Sequence, residues 1–129
     1  MKALITLLLP LTFFAQTKQE VYREILKQGI DHPKIVLAQC FYETKHLKSN
    51  IFKNNNNAFG MKFPYQRETT ATGKDSNNFS IYDSWQSSIT DYKIWQDKYF
   101  IGGSYYQFII DCGYCPSEDY VTTIKQIRI

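Results

Sequence analysis

One residue in this sequence sits where its charge is least welcome. Glu43 follows the run Lys34-Ile35-Val36-Leu37-Ala38-Gln39-Cys40-Phe41-Tyr42, which has almost no polar face. At helical spacing Val36, Cys40, Glu43 and Leu47 share one side, so the carboxylate falls on an apolar stripe. It also comes at the end of the run. Desolvation disfavours the anion, and the negative end of a helix dipole disfavours it further. A carboxylic acid that keeps its proton near neutral pH can pass it to a departing oxygen, which cleavage of a glycosidic bond requires. The opposing reading is a glutamate at a frayed helix end, paired with Lys45 or Lys48. The residues alone leave the two open.

The other chemistry-bearing residues are few. Cys40, Cys112 and Cys115 make an odd count, so at least one thiol stays unpaired within the chain. The pairing stays open between a bridge from Cys40 to Cys112 or Cys115 and free buried thiols. Cys112-Gly113-Tyr114-Cys115 has the spacing of a redox or zinc half-site. Zinc takes about four ligands, and His32 and His46 lack partner spacing. No metal and no cofactor is expected.

The elements that must position Glu43 are legible from caps and periodicity. Thr17 with Glu20 is a capping-box pattern. It predicts a helix facing inward through Val21, Tyr22, Ile25 and Leu26 and ending at Gly29. Pro33 suits the first turn of a second helix, apolar all round and therefore buried. Thr44 to Asn57 is polar, ends in four consecutive Asn, and reads as a loop. At least two of those Asn read as filler. Ala58-Phe59-Gly60-Met61 is a compact apolar turn. Residues 66–82 carry turn signals and a short alternation, which predict a small β-hairpin. Asp83 with Gln86 predicts the cap of a third helix with Trp85, Ile89, Tyr92, Trp95 and Tyr99 as its stripe. Gly102-Gly103 breaks it. Ser104 to Cys112 predicts a short helix ended by Gly113. Pro116-Ser117 caps the last helix, which turns Tyr120, Ile124 and Ile127 inward. The fold class is mainly α (α+β), with one β insertion.

Length allows one domain. Met1-Lys2 followed by the apolar run Ala3 to Phe14 and then Ala15 has the anatomy of a secretory signal peptide, shorter than the roughly 20 residues of a membrane span. The expected layout is a signal peptide over 1–15 and a domain over 16–129. The product would be secreted or periplasmic, a monomer, and not inserted in the membrane after cleavage. The formal charge of +3, or +2 without Lys2, is too mild to argue for nucleic acid. Ten Tyr beside nine Phe and two Trp make rings abundant; some must be core, and flat apolar Tyr rings would also suit a carbohydrate cleft.

Four segments in order resemble bacterial glucosaminidase domains (glycoside hydrolase family 73). Ile35-Val36-Leu37-Ala38-Gln39 through Glu43-Thr44 is similar to the family's "ILAQ…ES" helix. Asn56-Asn57-Ala58-Phe59-Gly60-Met61-Lys62 is similar to its "NNLFGIK" turn. Phe79-Ser80-Ile81-Tyr82-Asp83-Ser84-Trp85 with Ser88-Ile89-Thr90-Asp91-Tyr92 matches its "F-x-x-Y-D-S…SI-x-D-Y" segment. Gly113-Tyr114-Cys115 and Asp119-Tyr120 resemble its "GYATDPNY" element. The resemblance implies a lysozyme-like fold, with a helical lobe and a small β-hairpin lobe flanking a cleft. It implies a hydrolase that cuts the β-1,4 bond after N-acetylglucosamine in peptidoglycan glycan strands. On it, Glu43 is the general acid, Tyr120 stands at the catalytic centre, and Asn57, Phe59, Gly60, Lys62, Tyr82 and Tyr114 bind substrate. Phe59 reads equally as a buried staple.

The departures matter as much. Thr44 replaces the usual Ser but keeps a hydroxyl, and Lys45-His46-Leu47 stands where "GWG" is common. The β region is short, and in many relatives it supplies a second carboxylate. Glu68 is the candidate for that role, with Asp75 behind it. If neither serves, a water positioned by Tyr or the substrate's own acetamido group must. Two alternatives remain: a lytic transglycosylase, whose turn typically reads like "GLMQ", and a non-catalytic wall-binding protein on a degenerate scaffold.

Overall fold

The computed structural model describes residues 17–114 and 118–128. The expected signal peptide, Cys115 and the Pro116-Ser117 cap lie outside these residues. Among the described residues six helices and one two-stranded sheet follow in the order α1 (Lys18–Lys27), α2 (Pro33–Thr44), α3 (Asn50–Asn55), β1 (Gly73–Lys74), β2 (Ser80–Ile81), α4 (Trp85–Tyr99), α5 (Tyr105–Asp111) and α6 (Glu118–Gln126). Among the described residues no helix is long and apolar enough to cross a membrane.

The local rules act much as the residues suggest. Thr17 accepts from the Glu20 amide at 3.2 Å and starts α1, and Gly29 leaves it at φ +69°. Val21 and Ile25 face the core; Leu26, expected inside, is exposed. Helix α2 opens on Pro33 and buries Val36, Leu37, Ala38, Cys40 and Phe41 between α1 and α6. Fully burying a side chain of this size contributes roughly 1.5–3 kcal/mol, so α2 is the spine of the helical lobe. Helix α4 is capped by Ser84, one residue after the expected Asp83, because the Ser84 hydroxyl accepts from the Ser87 amide at 3.1 Å.

The segment after α2 differs most from expectation. It is not a plain loop. Lys45, His46 and Leu47 take φ values of +50°, +58° and +68°, so Leu47 leaves the helical face of Glu43 although it stays buried. Left-handed backbone costs a non-glycine residue about 1–2 kcal/mol. Buried Thr44 offsets that cost: its hydroxyl donates to the Cys40 carbonyl at 2.6 Å and accepts from the Leu47 amide at 2.9 Å. Its own carbonyl accepts from the amides of Lys48 and Ser49, each at 2.8 Å. Helix α3 follows, capped by Ser49 on the Phe52 amide. It spans six residues, too short for a periodic signal.

The β lobe pairs Gly73 with Ile81 and Lys74 with Ser80, antiparallel. A bridge from Lys62 to Phe79 joins it to the turn before it. Three of the four consecutive Asn hold this lobe in place. Asn55 donates to Asp75 at 2.9 Å, Asn56 to the Tyr82 carbonyl at 3.0 Å, and Asn57 to the carbonyls of Met61 and Ser80. They are neither filler nor free to meet a ligand.

Candidate active site

Glu43 stands in the last turn of α2, half-buried. Buried Tyr120, brought over by α6, donates its hydroxyl to Glu43 Oε1 at 3.1 Å. The opposite oxygen faces Gly60. Asn57 shapes that approach, because its Oδ1 accepts from the amides of Phe59 and Met61 and curls the turn tightly. Gly60 sits at φ +62°, and a Cβ there would lie 2.9 Å from Glu43 Oε2. The glycine is thus required twice, by backbone conformation and by the room the carboxyl needs. Gly60→Ala is expected to cost about 1–2 kcal/mol in backbone strain and to displace the Glu43 carboxyl. Urea unfolding checks the first effect, and the carboxyl's NMR titration, shifted from that of the parent, checks the second.

Burial pushes the Glu43 carboxyl up to about 7, against the opposing pull of the Tyr120 hydrogen bond. Burial outweighs the bond because one donor to one oxygen replaces only part of the lost hydration. The sequence argument expected this direction.

The carboxyl opens on a cleft of about 710 Å³. One part of the lining comes from Gly60 to Arg67 with Phe79 of the β lobe. Another comes from Trp95 and Tyr99 on α4 and from Cys112, Gly113 and Tyr114. Tyr114 donates its hydroxyl to the Phe59 carbonyl, tying the end of α5 to the turn. Lys62 holds its ammonium 3.8 Å above the Phe79 ring and donates to the Asn77 carbonyl at 2.9 Å. Among the described lining residues Glu43 is the sole carboxylate. The arrangement can do one thing well: hold a proton on an acid beside a long, ring-lined groove.

A model of the glucosaminidase family, described as mannosyl-glycoprotein endo-beta-N-acetylglucosaminidase, matches residues 18–128. The chain belongs to the glucosaminidase family. No curated protein matches it significantly. A solved chain from a type VI secretion system effector–immunity complex of Pseudomonas protegens superposes with a TM-score of 0.65 at 14% identity, covering 84% of this chain and 88% of that one. At that identity the likeness speaks for the fold, which is lysozyme-like: helices around a core, with a small antiparallel sheet beside the cleft.

Within this glucosaminidase domain the residues singled out by sequence divide cleanly. Glu43, Gly60, Lys62 and Tyr114 meet at the cleft, and Tyr120 touches Glu43 from behind. Asn57, Phe59 and Tyr82, expected to bind substrate, are corrected: all three are buried. Asn57 spends its amide on the turn, Phe59 packs against Tyr92 with ring centroids 4.3 Å apart, and Tyr82 donates to Asp91 at 2.5 Å. Glu68 is exposed and falls outside the cleft lining, one residue beyond Arg67. Asp75 is held by Asn55 and by the amides of Asn77 and Phe79, bonds that keep its carboxyl below the usual range. It closes a turn. Cys40 is a buried free thiol, raised to about 12 by its burial, and Cys112 is an exposed free one.

Sequence reasoning missed the Arg67–Asp91 pair. Arg67 lines the cleft, yet its guanidinium lies against Asp91 at 2.6 and 3.3 Å. It also missed that Trp95 and Tyr99 line the cleft; they read as one inward stripe. Helical spacing places a stripe but does not say whether its far end meets protein or solvent.

Proposed function

We propose that this protein is a peptidoglycan hydrolase that cuts the β-1,4 bond after N-acetylglucosamine, with Glu43 as the general acid. The observation that carries the reading is the half-buried carboxyl, raised to about 7 by desolvation and opening on the cleft of a glucosaminidase domain. The acid protonates the departing glycosidic oxygen, so the leaving sugar exits as an alcohol. Tyr120 fixes the carboxyl's orientation through Oε1. The other oxygen is the one free to reach the substrate past Gly60, where no side chain intervenes.

Capture of the oxocarbenium-like centre needs a second group. With no other carboxylate among the described lining residues, the substrate's own 2-acetamido oxygen serves best. It bonds to C1 as the leaving oxygen departs, and water then opens the cyclic intermediate with overall retention. Glu68, exposed and outside the cleft lining, takes no part in that step in this arrangement. We further propose that the chain acts outside the cytoplasm as a monomer, exported by its first 15 residues.

Product analysis tests this. A reducing N-acetylglucosamine end released as the β anomer supports it. An α anomer means inversion and restores Glu68 as the base. An anhydro-muramyl end means transglycosylation and overturns hydrolysis. The rate is expected to fall as pH rises through about 7, because the acid then loses its proton. A flat profile from pH 5 to 9 counts against Glu43 as the acid.

A further inference from the structure

We infer that Tyr65, Trp95 and Tyr99 form a stacking subsite that reads the faces of the glycan's sugar rings, and that peptide stems contribute little to recognition. The inference rests on the cleft being a glycan site and names how the glycan is held.

The rings are where folding would not put them for its own sake. Tyr65 is 71% exposed and Tyr99 is 42% exposed, yet both line the cleft. They are also held. Lys74 donates to the Tyr65 hydroxyl at 2.5 Å, and Phe63 meets its ring edge-on at 5.5 Å. Tyr99 lies 6.5 Å from Trp95, centroid to centroid. From there the aromatic surface continues toward the acid: Trp95 to Tyr114 at 5.6 Å, and Tyr114 to Tyr120 at 6.4 Å. Tyr120 bonds Glu43. Beside Tyr99, Lys98 donates to the Gln66 carbonyl at 2.8 Å, drawing α4 and the Tyr65 segment together at the far end of the groove.

A β-1,4-linked hexosamine carries its hydroxyls and acetamido group around its rim and its axial C–H bonds on its faces. Each face is therefore apolar and flat, which an exposed ring matches. Rings already held in place lose little freedom on binding. The charges argue against stem recognition. Arg67 is committed to Asp91, while Lys62 gives one hydrogen bond to the Asn77 carbonyl, lies over the Phe79 ring and makes no ion pair with a carboxylate among the described residues. Among the described lining residues Lys62 is thus the one cation left to meet a stem carboxylate, at a single point of the groove.

The test reads binding without turnover. In the Glu43→Gln protein carrying Trp85→Phe, Trp95 is the sole tryptophan among residues 17–129. Its emission is titrated with chitin oligomers, with amidase-stripped glycan strands and with stem-bearing strands. The expected result is an emission change with all three and similar affinity for stripped and stem-bearing strands. Tyr65→Ala and Tyr99→Ala should each weaken binding by about tenfold, which is ~1.4 kcal/mol. Tyr99→Phe should bind like the parent, since stacking needs the ring and not the hydroxyl. Circular dichroism confirms that each variant is folded. Alanine variants that bind as tightly as the parent overturn the subsite, and so does silence with every glycan. A strong preference for stem-bearing strands overturns the sugar-face reading. The acid assignment is judged separately, on cleavage by the Glu43 form.

Discussion

Glu43→Gln is expected to slow glycan cleavage by about 10²–10⁴-fold, the range that a positioned general acid supplies, while fold and glycan binding persist. The amide keeps the shape of the carboxylic acid, and its oxygen can still accept from Tyr120, so the loss isolates the proton. Stability provides an independent check. The folded-state pKa of about 7 lies above the ordinary 4.5, so the folded protein holds this proton more tightly than the unfolded chain. The stabilisation is full below about pH 4.5 and is lost as pH rises through 7. Gln is neutral throughout and escapes that loss. The variant should therefore melt above the wild type at pH 8, with the gap closing toward pH 4.5. A dead enzyme that is more stable at high pH is the signature of a carboxyl whose burial serves chemistry. Equally poor clearing of peptidoglycan by both forms, with both still sedimenting with the wall, would leave a binding protein and no enzyme.

The raised Glu43 carboxyl was legible in the sequence because its cause is local. An apolar run ending in a glutamate puts a carboxyl where water is scarce, whatever the rest of the chain does. Thr17, Ser104 and Gly29 were legible for the same reason: a cap or a left-handed exit acts over a few residues. The Asn run was not. Asn55, Asn56 and Asn57 reach Asp75, Tyr82, Met61 and Ser80, and nothing in a polar tract says which distant backbone it will meet. Phe59 and Tyr82 went astray in another way. Gly60 to Lys62 beside the one and Phe79 before the other line the cleft, but Phe59 packs on Tyr92 and Tyr82 bonds Asp91, both on α4.

Lys45-His46-Leu47 shows a departure from the family pattern acquiring a physical meaning. Where relatives commonly have "GWG", this chain forces three residues with side chains into positive φ. Glycine would take those angles freely. The chain holds them instead through Thr44, whose hydroxyl and carbonyl meet four partners within the turn. The turn begins right after Glu43, so the same bonds fix the end of the helix that carries the acid.

Asp91→Ala is expected to cost about 3–5 kcal/mol, the penalty for leaving a buried partner charge unpaired. The side chains of Arg67 and Asp91 are 4% and 0% exposed, so water cannot replace the lost carboxylate. Tyr82 loses its acceptor as well. Against a typical total of about 5–15 kcal/mol, that is enough to unfold much of the population near 37 °C. Lys93 and Asp97 are the control: a pair one turn apart in the open at 2.7 Å, where Asp97→Ala should change stability by less than about 1 kcal/mol. Removing both charges tests the cause. Arg67→Met with Asp91→Leu should recover most of the loss, because the desolvation penalty goes with the charges. Urea unfolding of the wild type, Arg67→Met, Asp91→Leu and the double variant gives the coupling directly. If the double variant is as unstable as Asp91→Ala, packing and not charge holds this joint. If it recovers stability but binds chitin oligomers poorly, the pair's role is geometric. Arg67 would then be the tie that sets the Tyr65 segment against α4, and the buried pair would be kept for the shape of the cleft.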